Sequence, residues 1–247
     1  MFSWKTTRIV CIVLLLLPIV HLAYLVSRDA LAILDPSPNV WDKELQAYAR
    51  DDRTSTLPKN PIVVVGGRRV TLWTELPDVL AEKPVLMRGL GDAIIEDIVY
   101  NYTALIGYYQ PSAVVLLPAN SEFHIRDNKS PEALVAAIQE LEKEDARHGI
   151  TRQFYVFTPL KTLMFPGDDT IVEETTRLLR AWAADNQRVT ILDGNAVLRN
   201  SSGKPKPGYY LSDGVNLNSS GYLRLAILLE SALAANTETT AETIATS

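Results

Sequence analysis

From residue 61 onward, short runs of apolar, often β-branched residues alternate with longer amphipathic stretches. That alternation predicts repeated strand–helix units around a parallel sheet. The apolar runs predict strands at 61–66, 84–87, 113–117, 153–158 and 188–193. Segments with helical spacing fall at about 92–107, 131–147, 170–185 and 218–235. Ser130 before Pro131 reads as an N-cap followed by proline at the first helical position, and Asn218 or Ser219 can cap the last helix. The expected fold is α/β: a three-layer α/β/α sandwich around a five-stranded parallel sheet, flavodoxin-like in strand order.

The pattern upstream is different. Residues 9–26 carry no acidic or strongly basic side chain, a run of about 18 residues or ~27 Å of helix. Lys5 and Arg8 precede it. The reading is one transmembrane helix, a signal anchor over 1–27, with the N-terminus cytoplasmic and the rest periplasmic or extracellular. A cleaved signal peptide is the alternative, but the run exceeds an h-region of ~7–15 residues. Residues 28–60 form a polar, proline-containing connector with a short helical candidate at 40–51. The α/β domain follows at 61–236. Residues 237–247, rich in Thr and Ala without periodicity, are expected to be a disordered tail.

Composition narrows the partners. A net charge of -5 over 247 residues argues against nucleic acid. The single cysteine, Cys11, rules out an intrachain disulfide. No His/Cys/Asp cluster has metal-ligand spacing, so neither metal nor cofactor is expected.

In a sheet of this kind ligands bind beyond the carboxyl ends of the strands. Four segments would meet there: Gly66-Gly67-Arg68-Arg69, Arg88-Gly89-Leu90-Gly91-Asp92, Ala119-Asn120-Ser121-Glu122, and Asp213-Gly214-Val215-Asn216-Leu217-Asn218-Ser219-Ser220-Gly221-Tyr222. In this order they resemble the sequence blocks of SGNH (GDSL-type) hydrolases, over roughly residues 60–235. The resemblance implies an esterase or acyltransferase fold with a Ser-His-Asp triad, but the residues depart from it. The family's nucleophilic serine falls on Arg68 and its histidine on Asn216, while the aspartate is retained as Asp213. Gly91 keeps the position of a backbone oxyanion donor. The side-chain donor, normally Asn, falls on Ser121, with Asn120 one residue away. An amide cannot accept a serine proton near neutral pH as an imidazole can, so the usual acyl-transfer chemistry lacks both nucleophile and base.

Three histidines could stand in. His21 lies in the apolar run, His148 ends a helix far from the rim, and His124 is a rim-loop candidate base beside Ser121. Arg68 admits two readings: with Arg69 and Arg88 it forms an anion site, or it plugs the vacated pocket and pairs with Asp213 or Glu122. The candidate ligand-binding residues are therefore Arg68, Arg69, Arg88, Asn120, Glu122 and Asp213. The function expected is a membrane-anchored, catalytically inactive binding or scaffolding domain of the cell envelope, its ligand an acidic or acylated glycan. The alternatives are an active esterase with a rearranged site, or a structural partner of another envelope protein.

Overall fold

The computed structural model describes residues 4–34, 37–124 and 126–245; the side chains of 5–7, 9–10, 28–34 and 237–245 lie outside that description. The chain divides into two compact units, Met1–Val40 and Trp41–Ser247.

In the first unit, helix α1 spans Trp4–Leu34, with Pro18 inside it. Its described apolar side chains, from Ile12 to Val26, are mostly exposed. Among the described residues no helix is long and apolar enough to cross a membrane. The continuously described side chains of α1 run from 11 to 27 and leave out the first two positions of the expected 9–26 span.

The second unit opens with α2, Asp42–Thr54. The chain then alternates β1 (Ile62–Gly66), α3 (Arg68–Thr71), α4 (Leu76–Val79), β2 (Val85–Gly89), α5 (Ile95–Tyr100), α6 (Tyr102–Leu105) and β3 (Ala113–Leu117). It continues with α7 (Pro131–His148), β4 (Gln153–Phe157), α8 (Asp169–Ala184), β5 (Val189–Leu192), α9 (Gly194–Leu198) and α10 (Ser219–Ala245). All strand pairs are parallel, in the order β2-β1-β3-β4-β5. That is the flavodoxin-like order the apolar runs implied.

The sheet interior is aliphatic and both its faces are covered. Ile62, Val64, Val115, Leu117, Tyr155 and Phe157 pack against Trp73, Leu76, Tyr222, Leu225 and Leu229. Trp73 stacks on Tyr222 with centroids 5.6 Å apart, which ties the segment after β1 to α10. On the alternate strand positions Val63, Val65, Val114, Leu116 and Phe154 are fully buried, as are Leu134, Ile138 and Leu141 of α7.

Caps set the helix boundaries. Ser130 accepts from Ala133 N–H at 3.2 Å, and Asn218 Oδ1 accepts from Gly221 N–H at 3.1 Å. The expected helix at 92–107 is broken into α5 and α6 at Asn101, whose backbone N–H and side-chain amide both donate to the Asp97 carbonyl. Residues 237–245, expected to be a disordered tail, continue α10; no glycine or proline after Gly221 stops it. Residues 246–247 lie outside the described residues.

The expected connector is also partly domain. Trp41 is buried, and a Cβ on Gly91 would lie 2.6 Å from its Cζ3. Tyr48 Oη donates to the Gly89 carbonyl at 2.6 Å, and Asp52 pairs with Arg88 at 2.6 Å. Its charged sequence makes α2 look like a linker, yet its few tyrosine and carboxylate contacts fix it to the end of β2.

Candidate functional site

The turn after β1 can form only because its glycines are bare. A Cβ at Gly66 would lie 2.3 Å from the Leu117 carbonyl oxygen, and one at Gly67 would lie 2.6 Å from Ala119 Cβ. β1 therefore runs close against the β3 loop and delivers Arg68 and Arg69 to the carboxyl end of the sheet. There a pocket of about 300 Å³ is lined by residues of four segments. Arg68, Arg69 and Asp92 come from the first two, Ala119, Asn120 and Ser121 from the third, and Asp213, Val215 and Asn216 from the last. Met164 and Phe165 close it from the loop after β4.

Arg68 pairs with neither Asp213 nor Glu122, the partners expected of a plug. It makes a bidentate contact with Asp92, Nε to Oδ1 at 3.1 Å and Nη2 to Oδ2 at 3.2 Å. Donating these hydrogen bonds to Asp92 raises the already high pKa of Arg68. Its side chain is 54% exposed, so the pair is worth little as stability and serves to hold the guanidinium at the mouth.

Asp213 and Asn216 reproduce the outline of an Asp–His pair without its chemistry. Asn216 Nδ2 donates to Asp213 Oδ2 at 2.7 Å, while the backbone N–H groups of Val215 and Asn216 both donate to Oδ1 at 2.9 Å. Burial pushes the Asp213 carboxyl up, but these three bonds outweigh it and hold the group below its usual range. The aspartate thus orients an amide that can neither take nor give a proton.

Ser121 is the only hydroxyl-bearing side chain among the described lining residues, and it is turned inward. Its Oγ donates to the Ala93 carbonyl at 3.1 Å. Asn120 also lines the pocket, and no hydrogen bond engages its side-chain amide among the described residues. His124 lies behind the wall: its ring stacks on Phe165 at 4.1 Å, and Nε2 lies 2.7 Å from Asp168 Oδ2. Gly91, the expected backbone oxyanion donor, sits beneath Trp41 and does not line the pocket.

Two other sequence candidates point elsewhere. Arg88 is 7% exposed and faces α2, bonded to Asp52 and to Tyr109 Oη. Glu122 is 1% exposed; its Oε1 accepts from Ile95 N–H at 2.9 Å, at the start of α5. Its Oε2 is 2.9 Å from Lys129 Nζ, which also sits 2.6 Å from Asp127 and 3.0 Å from Glu96. One ammonium shared by three carboxylates leaves Glu122 poorly compensated. Burial therefore dominates and pushes its carboxyl up to about 7, against the pull of Lys129.

Sequence reasoning missed Asp92 as the partner of Arg68, and Met164 and Phe165 as a wall. An acid facing the arginine at the end of the neighbouring strand was a usable signal for the first. The 159–168 loop offered none.

Among the described residues no group of three or more His, Cys, Asp or Glu could hold a metal. A larger groove of about 650 Å³ between α8 and α9 is strongly charged, and three of its cations are paired within the chain, as Lys161–Glu173, Arg177–Glu174 and Arg180–Asp193.

No family model matches the chain, and no curated protein matches it. Solved structures do. A protein described as an acylhydrolase, from Bacteroides fragilis, aligns over 78% of this chain and 96% of its own at 19% identity and a TM-score of 0.66. A GDSL-like lipase from Bacteroides thetaiotaomicron aligns over 78% and 98%, at 15% identity and a TM-score of 0.63. A lipase/acylhydrolase from Enterococcus faecalis aligns over 68% and 93%, at 14% identity and a TM-score of 0.56. The second unit has the SGNH/GDSL-type hydrolase fold.

Proposed function

We propose that this chain is a non-hydrolytic member of that fold group, a membrane-anchored domain of the cell envelope that binds acylated or acidic glycans. The observation that carries the reading is the pair of substitutions at the pocket mouth. Arg68 occupies the expected nucleophile position and is tied to Asp92, while Asn216 occupies the expected base position and is tied to Asp213. Acyl transfer needs a hydroxyl next to a base, and Ser121 has instead a carbonyl as its partner. What remains is a shaped polar pocket with apolar walls, which suits binding.

Anchoring is supported by α1, whose described apolar side chains lie exposed around the helix, as a lipid-facing helix requires. With Lys5 and Arg8 leading, the N-terminus faces the cytoplasm and the second unit the periplasm or exterior. Retention of the full-length chain in membranes after alkaline carbonate washing is the expected result; release into the supernatant refutes the anchor.

The test of the binding role is turnover of short-chain aryl esters and acetylated sugars by the purified full-length chain. The expected rate equals buffer, and Asn216→His leaves it there because no hydroxyl becomes activated. A second reading, an active esterase with a rearranged site, draws on the His124–Asp168 pair behind Phe165. Turnover clearly above buffer that is lost in Ser121→Ala or His124→Ala establishes it instead.

A further inference from the structure

We infer that Arg69 is the anchor for a carboxylate at the end of a short acyl chain. The inference rests on the binding role proposed above and adds the chemistry of the ligand. Arg69 is 2% exposed, and its guanidinium makes one hydrogen bond, from Nη2 to the Val215 carbonyl at 3.1 Å. Its Nε is buried and has no partner. Among the described residues no carboxylate forms an ion pair with it. Asp213, the acid whose field it feels, already accepts three hydrogen bonds from Val215 and Asn216.

The other buried cations of the domain are treated differently. Arg88 has Asp52 at 2.6 Å, Arg126 has Asp97 at 2.9 Å, and Lys129 has three carboxylates. A cation taken out of water is among the costliest groups to leave uncompensated. Arg69 lines the pocket, so the missing counter-charge can be brought by a ligand. Asn120, whose amide is unengaged, is available as a second donor.

The surroundings choose among anions. Asp92 and Asp213 stand in the same lining and disfavour a dianion such as phosphate. Ala119, Met164, Phe165 and Val215 offer apolar surface. That surface continues through Met164, 58% exposed, to Leu163 at 38% and Leu211 at 44%, along a neighbouring groove floored by Pro207 and Tyr210. A monoanionic head with a short apolar tail satisfies both parts.

The experiment is isothermal titration of the full-length chain, in mild detergent, with hexanoate, hexan-1-ol and inorganic phosphate. Hexanoate is expected to bind saturably, and the alcohol and phosphate at least about tenfold more weakly. Arg69→Met is expected to cut hexanoate affinity at least about tenfold while raising the unfolding temperature without ligand, since it removes an uncompensated buried charge. Phosphate binding as tightly as hexanoate, or unaltered hexanoate affinity in Arg69→Met, overturns the inference. Should that variant not fold, the carbon-13 carboxylate resonance of labelled hexanoate on the wild-type chain decides: a saturable shift absent with excess unlabelled hexanoate supports the site, and no shift refutes it. Turnover of 4-nitrophenyl hexanoate is measured in parallel. Turnover above buffer sinks the non-hydrolytic role whatever hexanoate does; neither turnover nor hexanoate binding sinks the carboxylate inference alone.

Discussion

Replacing Asp52 with alanine tests whether the charged segment before β1 belongs to the fold. Asp52 and Arg88 are 10% and 9% exposed at the side chain and lie 2.6 Å apart. Arg88 also donates to Tyr109 Oη at 2.9 Å and to the Met87 carbonyl at 3.0 Å, and its guanidinium lies 4.7 Å from the Tyr48 ring centroid. Removing Asp52 strands this guanidinium and takes away the acceptor of the Tyr109 hydroxyl. Breaking a buried pair from one side costs about 3–5 kcal/mol. The remaining neutral acceptors favour the lower end, about 3 kcal/mol, a large part of the ~5–15 kcal/mol that holds a domain together. For a domain of this size that is a fall of roughly 6–12 °C in melting temperature. The assay is urea denaturation of residues 41–247 for wild type, Asp52→Ala, Arg88→Met and the double variant. The double variant is expected to recover most of the loss, because no unpaired charge stays buried. A loss below about 1 kcal/mol in Asp52→Ala means that Arg88 reaches water, and refutes the integration of α2.

Two further substitutions probe neighbouring features. Glu122, raised to about 7 from an ordinary value of 4.5, holds a proton in the folded state that the unfolded chain has already lost. Its contribution is therefore fully present below pH 4.5 and lost as pH rises through 7, by about 3 kcal/mol. Glu122→Gln, which keeps the acceptor for Ile95 N–H, is expected to remove that decline from the stability–pH curve; an unchanged curve refutes the assignment. Gly91→Ala puts a Cβ 2.6 Å from Trp41 and is expected to cost about 1–3 kcal/mol by denaturant midpoint, relieved by Trp41→Leu. A neutral outcome means the tryptophan does not rest there.

The sheet was legible because its physics is local. Five apolar β-branched runs, each bounded by turn residues, place five strands within one or two residues of where they lie, and Ser130 and Asn218 mark helix starts by capping. Three of the four segments that build the pocket were legible for the same reason, since each follows a strand, and the fourth, 213–216, lies just before the capped start of α10. What each side chain does there was not. Arg68 turns to Asp92, Arg88 to Asp52 and Glu122 to Lys129 through contacts spanning 7 to 36 residues, which no periodicity encodes. The short helices α3, α4 and α9 each last about one turn and leave no repeat to detect. The wall of Met164 and Phe165 hangs from a loop whose path is fixed by Gly214, whose carbonyl accepts from Leu163 and Met164 N–H.

The Asn216–Asp213 bond also bears on how this surface behaves as its surroundings acidify. A histidine at that position would gain a charge between mildly alkaline and mildly acidic conditions, altering both the field in the cleft and the loop that carries it. The carboxamide has no proton to gain, and its aspartate partner is held below its usual titration range. The 213–218 loop thus keeps one charge state over the range in which a histidine there would switch. Any pH dependence of this cleft between mildly alkaline and mildly acidic conditions must therefore come from groups other than the Asn216–Asp213 pair.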